Sequence, residues 1–234
     1  MIITSETNPK IKLLLKLNTS KYRKENGLFI VEGKHLVTEA RNKGVLVEAY
    51  SIEEKDDYIT LTKELMKKVS NTDTLVTEIG LCKMVEADSL SNKILVLDGV
   101  QDPGNMGALM RSAKAFNFNT IILGVGCVDI YNDKVIRASQ GAIFKLNFRH
   151  ENLVEFLPKL TDYKVYGTNV VNGKPLDEVE REEKMAIVLG NEGNGISDQV
   201  NNIINTNIYI PMDNTESLNV SVAGSIIMYQ LRQD

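Results

Sequence analysis

The chain has 234 residues, 43% of them hydrophobic and 25% charged, with a formal net charge of −4. Those proportions belong to a globular protein of one large or two small domains, and they exclude a disordered chain or a generic polyanion binder. No apolar run reaches the length of a membrane span, Met1–Lys10 lacks the layout of a signal peptide, and Cys82 and Cys127 have neither metal nor redox spacing; with only His35 and His150, a histidine metal site or triad is not expected. The expectation is a reduced, cytoplasmic protein with no metal.

In chain order, Asn8-Pro9 starts a helix, with Asn as cap and Pro at the first helical position. Ile11, Leu14, Leu15 and Leu17 form its apolar stripe, and Gly27 stops the segment. Leu28–Val31 reads as a buried strand, His35–Arg41 as a helix ended by Gly44, and Val45–Ile52 as a strand. Glu53–Asp57 is an acidic loop, Leu61–Val69 is helical, and Ile79–Val85 resembles a strand. Residues 1–44 hold nine Lys and Arg against four Glu, a balance of +5 that leaves −9 for the remainder. Such asymmetry suggests a phosphate-facing first segment, although a solvated helix face explains the charge equally well. The polar stretch Ala87–Lys93 is a plausible linker.

Beyond it the pattern becomes regular. Strands are predicted at 94–97, 120–125, 145–148, 164–168, 186–189 and 207–210. Helices are predicted at 105–117, 132–140, 151–160, 197–204 and 218–231. This alternation predicts an α/β fold with a mostly parallel sheet covered on both faces. Three polar loops each lie between such a strand and a helix: Asp102–Arg111, Gly190–Gly195, and Ile210-Pro211-Met212 leading to Ser217–Ser221. Ligand sites in parallel sheets lie beyond the carboxyl ends of strands, so the three loops converge if their strands are neighbours. Gly190–Gly195 fits neither the dinucleotide fingerprint nor the P-loop, and Gly124-Val125-Gly126 has Asp129 where the third glycine should be. Taken singly, Asn105 and Asn219 are explained as helix caps, and Arg111 as a surface residue.

Together the loops resemble the SpoU (TrmH-like) family of RNA ribose 2′-O-methyltransferases. The first motif is read in Asn105-x-Gly107-x-x-x-Arg111, the second in Leu189-Gly190-Asn191-Glu192-Gly193-x-Gly195, and the third in Ile210-Pro211-Met212 with Ser217-Leu218-Asn219-Val220-Ser221. Tyr22-Arg23-Lys24 with Gly27–Gly33 looks like the RNA-binding domain of the family's ribosomal-RNA branch. The resemblance implies a small N-terminal α/β RNA-binding domain (1–87) and a C-terminal SPOUT domain (93–234) with a trefoil knot. It implies S-adenosylmethionine as cofactor, RNA as partner and a homodimer through the knotted domain. It assigns Gly190, Ile210, Leu218, Leu189 and Met212 to the cofactor, Lys21, Arg23 and Lys24 to RNA, and Arg111, Asn105, Glu192 and Asn219 to catalysis. Asn105, Glu192 and Asn219 are expected to orient Arg111 and the ribose. Ribosomal RNA is the favoured substrate; transfer RNA and a non-catalytic RNA-binding assembly factor are the alternatives.

Overall fold

The computed structural model describes residues 2–85, 89–169, 173–215 and 217–232. In chain order its elements are β1 (Ile2–Ile3), α1 (Pro9–Lys16), α2 (Ser20–Asn26), β2 (Leu28–Glu32), α3 (Lys34–Lys43), β3 (Leu46–Ser51), β4 (Tyr58–Leu61), α4 (Lys63–Val69) and β5 (Glu78–Lys83). There follow β6 (Lys93–Leu97), α5 (Pro103–Ala115), β7 (Thr120–Leu123), α6 (Asp133–Ser139), β8 (Asn147–His150), α7 (Leu153–Phe156) and β9 (Lys164–Thr168). The last are β10 (Gly173–Pro175), β11 (Met185–Leu189), α8 (Asp198–Asn201), β12 (Asn207–Tyr209) and α9 (Val220–Gln230). The chain divides into two compact units. One contains the residues up to Val85 together with Asp129–Phe144; the other contains the rest.

In the first unit, five strands form a mixed sheet in the order β1-β4-β3-β5-β2. Ile11 and Leu14 of α1 and Leu65, Met66 and Val69 of α4 pack over Tyr50, Ile79 and Leu81. Asn8 caps α1 by accepting from the Lys10 N–H at 2.9 Å, which fixes the start read from Asn-Pro. The expected single N-terminal helix is two helices, because the chain turns at Leu17–Thr19 and starts again at Ser20. Strand β4 was not expected: four residues following an acidic loop give too short a pattern to read. Residues 129–144 pack in this unit through Tyr131, whose ring lies 4.5 Å from that of Phe29, and through Phe144, at 6.4 Å from the same ring. Periodicity reveals the type of an element but not what it packs against, so this placement was invisible in the sequence.

In the second unit, seven strands form a wholly parallel sheet in the order β10-β12-β9-β11-β6-β7-β8. Alternate residues face opposite sides. Ile94, Val96, Ile122, Ala186 and Val188 pack against Leu153, Phe156 and Val200 on one side. On the other, α5 and α9 pack together, and a Cβ on Gly224 would strike Leu109 and Leu189 at 2.6 Å. The covering of both faces explains why these strands read as continuous apolar runs. Strand β8 begins two residues later than expected, because Ala142–Lys145 forms a 3-10 turn. The expected helix 151–160 shortens to α7 and passes into 3-10 structure, where Pro158 has no N–H to continue an α-helix. Strand β10 was missed, and of the expected linker Ala87 and Asp88 lie outside the described residues. The condition for convergence is met by β6 and β11, which are neighbours, whereas β9 lies between β11 and β12.

Candidate active site

The first loop follows β6. Asp98 prolongs the ladder, its N–H donating to the Leu189 carbonyl at 2.8 Å. Asp102 then caps α5 by accepting from the Asn105 N–H at 2.8 Å, with Pro103 at the first helical position. Asn105 is therefore not the cap, and its side-chain amide is left for other work. The second loop follows β11. Asn191 and Gly195 exchange backbone hydrogen bonds of 2.8 and 3.0 Å, and the Asn191 Oδ1 accepts from the N–H groups of Gly193 and Asn194. A Cβ on Gly190 would lie 2.0 Å from the carbonyl carbon of Gly195, so no other residue permits this chain crossing. Asn191 Nδ2 donates to the Gly99 carbonyl at 2.8 Å, and the Ser197 N–H donates to Asp98 Oδ2 at 2.8 Å, fastening the second loop to the first. In the third loop Asn219 caps α9, its Oδ1 accepting from the N–H groups of Ser221 and Val222.

The three loops meet in a polar relay. Because Asn219 Oδ1 is committed to the cap, Nδ2 is the end that donates, and it does so to Asn105 Oδ1 at 2.9 Å. That leaves Asn105 Nδ2 to donate to Glu192 Oε1 at 3.2 Å. The Glu192 carboxylate also accepts from the backbone N–H groups of Gln101 and Asp102, at 3.3 and 3.1 Å. Burial pushes this carboxyl up, but hydrogen bonds from its own N–H, Asn105, Asp102 and Gln101 outweigh it and hold the group below the ordinary carboxylate value. The start of α5, whose helix dipole presents its positive end there, also favours the anion.

A cavity of about 540 Å³ opens beside the relay, a size suited to a small-molecule cofactor. Leu189, Gly190, Ile210, Met212 and Leu218 all line it, together with Glu192 and Asn219. Thr168 and Asn169, at the carboxyl end of β9, line it as well. They were missed in the sequence because β9 carries no motif. The rule that sites gather at strand carboxyl ends could have found them once β9 was known to lie between β11 and β12.

Residues 92–229 match the SpoU rRNA methylase family, and residues 8–76 match the MRM3-like substrate-binding domain. The chain belongs to the SpoU rRNA methylase family. It is 35% identical to the 23S rRNA (guanosine(2553)-2′-O)-methyltransferase RlmP of Bacillus subtilis, over 98% of each chain. A TrmH-family structure from Porphyromonas gingivalis superposes with a TM-score of 0.87 at 30% identity, covering 97% of this chain and 98% of that one. An AdoMet-bound rRNA methyltransferase from Sinorhizobium meliloti superposes at 0.89, with 21% identity and coverage of 99% and 97%, and shares the fold.

Two of the expected site residues of this SpoU chain are set differently from the others. Arg111 does not join the relay: it is exposed and makes no hydrogen bond or ion pair among the described residues. Six positions along an α-helix turn it about 120° away from the face of Asn105. Asn105, Glu192 and Asn219 are hydrogen-bonded to one another and, among the described residues, not to Arg111. Arg23 is not presented to a ligand either. It is 5% exposed, pairs with Asp129 at 2.7 Å and donates to the Leu17 carbonyl at 2.9 Å. Lys21 and Lys24 of the same helix are exposed, Lys21 lying 3.9 Å from Glu25. No helix among the described residues is long and apolar enough to cross a membrane.

Proposed function

We propose that this chain methylates a ribose 2′-hydroxyl of ribosomal RNA, using S-adenosylmethionine. The observation that carries the reading is the Asn219–Asn105–Glu192 relay on the rim of the cavity that Gly190 bounds. The cavity suits the cofactor: apolar Leu189, Ile210, Met212 and Leu218 would enclose the adenosyl group, and Gly190 permits close backbone approach. S-adenosylmethionine supplies an already activated methyl group, so the protein has chiefly to orient the ribose and handle one proton. Asn105, Glu192 and Asn219, locked by their mutual hydrogen bonds, would position the ribose. Arg111 holds its proton far above neutral pH and is unsuited to be a base. Its uncommitted fork would instead grip the phosphate beside the ribose and stabilise the developing oxyanion.

Ribosomal RNA is favoured over transfer RNA by the description of the family that residues 92–229 match and by the substrate in the name of the Bacillus subtilis relative. In this reading residues 1–87 bind RNA through Lys21 and Lys24, and residues 93–234 carry the site, the trefoil knot and the homodimer contact. Val222, Ile226 and Tyr229 of α9 are exposed, whereas Ile227 is buried in its own core, so the first three would supply the dimer face. The reaction would take place on cytoplasmic RNA.

The test incubates the protein with methyl-labelled S-adenosylmethionine and unmodified ribosomal RNA, with transfer RNA in parallel, and identifies the labelled nucleoside. A 2′-O-methylated nucleoside from ribosomal RNA is expected. Label in transfer RNA alone would move the substrate, and no label with no cofactor binding would end the catalytic reading. Arg111→Lys should lose about 100-fold in turnover, nearly as much as Arg111→Ala, because a point charge lacks the planar fork. Near-normal turnover of the Lys variant would contradict that role.

A further inference from the structure

Helices α5 and α9 meet along a regular seam. Asn219 donates to Asn105 at 2.9 Å, and Leu109 lies against the bare backbone of Gly224. Ser112 Oγ is 2.7 Å from Ser225 Oγ, and the rings of Phe116 and Tyr229 meet edge to face at 5.6 Å. On α5 these positions recur at i, i+4, i+7 and i+11, the spacing that keeps one stripe of a helix against a partner. The numbers rise together on both helices, so α5 and α9 run side by side in the same direction away from the relay. The Leu109 and Phe116 contacts are apolar and non-directional, and they tolerate small slides. The serine pair does not, because a hydrogen bond weakens steeply with distance and angle.

The direction of the serine hydrogen bond follows from its neighbours. Ser225 Oγ has one proton and gives it to the Ser221 carbonyl one turn back, at 2.6 Å. Ser112 is therefore the donor to Ser225. Ser221 Oγ in turn donates to Asn219 Oδ1 at 2.7 Å, beside the N–H groups of Ser221 and Val222. Oδ1 is thus fully committed, and Nδ2 is fixed toward Asn105. A polar pair within a largely apolar helix seam specifies register more than it adds stability. Here α9 displaced by one residue would be turned by about 100° and would carry Asn219 off Asn105. Helix stability does not account for the two serines, since alanine is the better helix former at both positions. The same pair fixes the rotation of the helix that carries Arg111, the residue before Ser112.

We infer that Ser112 and Ser225 are positioning residues for methyl transfer: their hydroxyl pair holds α9 in the register against α5 that sets Asn219 on Asn105. This rests on the reading of the site as an RNA methyltransferase centre. The test compares wild type with Ser112→Ala, Ser225→Ala, the double variant and Ser112→Thr. It measures kcat and KM on unmodified ribosomal RNA, S-adenosylmethionine affinity by calorimetry, urea midpoints, molar mass by light scattering, and amide hydrogen exchange over residues 219–225. Each Ala variant should lose about 10-fold in kcat, with KM and cofactor affinity within about 2-fold of wild type and exchange several-fold faster. The double variant should lose no more than either single one, because the two hydroxyls act as a unit. Its urea midpoint should stay near wild type, because both partners leave together and alanine favours the helix. Ser112→Thr keeps the hydroxyl and should keep the activity. Unchanged exchange, or an unchanged kcat in an active enzyme, would overturn the inference. So would multiplicative losses in the double variant, or a kcat loss that tracks a fallen urea midpoint or molar mass, which would make the pair a packing or subunit contact. If exchange responds as expected but wild type transfers no methyl group, the register role stands and the methyltransferase reading fails.

Discussion

The two units use charge in opposite ways. In the first, the buried or half-buried cations are spent on the protein itself: Arg23 on Asp129, Lys55 on the buried carboxylate of Glu78, and Lys10 on Glu48. In the second, the centre is built from amides and one carboxylate, while Arg111 stays uncommitted. A count of +5 in the first 44 residues therefore says little about which cations meet a ligand, whereas a neutral-looking string of Asn and Gly marks the chemistry. The sharpest way to break this contrast is to damage each unit at its most constrained point.

In the second unit that point is Gly190. Gly190→Ala puts a methyl group within 2.0–2.3 Å of three backbone atoms of Gly195 and Ile196. Backbone cannot step aside as a side chain can, so the cost should be about 3 kcal/mol or more. Urea unfolding should show the loss, and S-adenosylmethionine titration should show no binding. Retained cofactor affinity would mean that the crossing is not what shapes the cavity.

The matching point in the first unit is the Arg23–Asp129 pair. Removing one partner of a buried pair leaves the other charge stranded, typically at about 3–5 kcal/mol. Burial pushes the Asp129 carboxyl up, but hydrogen bonds from Arg23, the Tyr131 N–H and Ser20 hold it below its ordinary value. A depressed folded value gives stability that is present above the unfolded value and lost as the pH falls through the folded one. Arg23→Ala should therefore lower stability most near neutral pH and less in acid. Adding Asp129→Asn should recover part of the loss. Urea midpoints across pH decide it, and a pH-independent loss would indicate packing rather than charge.

These two residues also show what a sequence discloses. The loop Gly190–Gly195 was legible as a polar turn because its signal is local: a glycine-flanked carboxylate, Glu192, between a strand and a helix. The strands β6, β7, β9 and β11 were legible for the same reason, their apolar runs being long enough to stand out. Arg23 was not, because Asp129 is 106 positions away, and nothing local distinguishes a buried arginine from the exposed Lys24 beside it. The relay was legible as three separate residues and illegible as a network. Its connectivity depends on which amide ends the helix cap of Asn219 commits. Arg111 makes no hydrogen bond to that network among the described residues, which motif order does not disclose, because it gives membership of a site but not the side of a helix.

A smaller effect should come from Glu192. Its carboxyl lies below the ordinary value, so its hold on the Gln101 and Asp102 N–H groups is complete above that value and is lost only as the pH falls through the lowered one. Wild-type cofactor affinity should stay level down through the ordinary carboxylate range and fall only below it. Glu192→Gln keeps an acceptor and loses the charge at the start of α5. It should bind several-fold more weakly above that acid limb, show no acid limb of its own, and approach wild type where Glu192 is protonated. A Gln variant with the wild-type acid limb would place the titrating group elsewhere.

The smallest effect belongs to the cations that remain on the surface of the first unit, and it isolates what they contribute once Arg23 is set aside. Lys24 is exposed and has no ion pair among the described residues, whereas Lys21 is partly neutralised by Glu25 at 3.9 Å. A lysine on a phosphate contributes through counterion release, so its loss should lower the slope of log affinity against log salt by about 1 without altering sequence preference. Lys24→Ala should show that change with a loss of affinity of about 2- to 5-fold at moderate salt, and Lys21→Ala should show less of both. Neither should move the unfolding midpoint, since exposed charges contribute little to stability. Arg23→Ala, by contrast, should move the midpoint and leave the salt slope of the still-folded fraction as it was. If Arg23→Ala changes the slope and Lys24→Ala does not, then α2 turns a different face to RNA, and the division between spent and available cations is wrong where it is drawn most firmly.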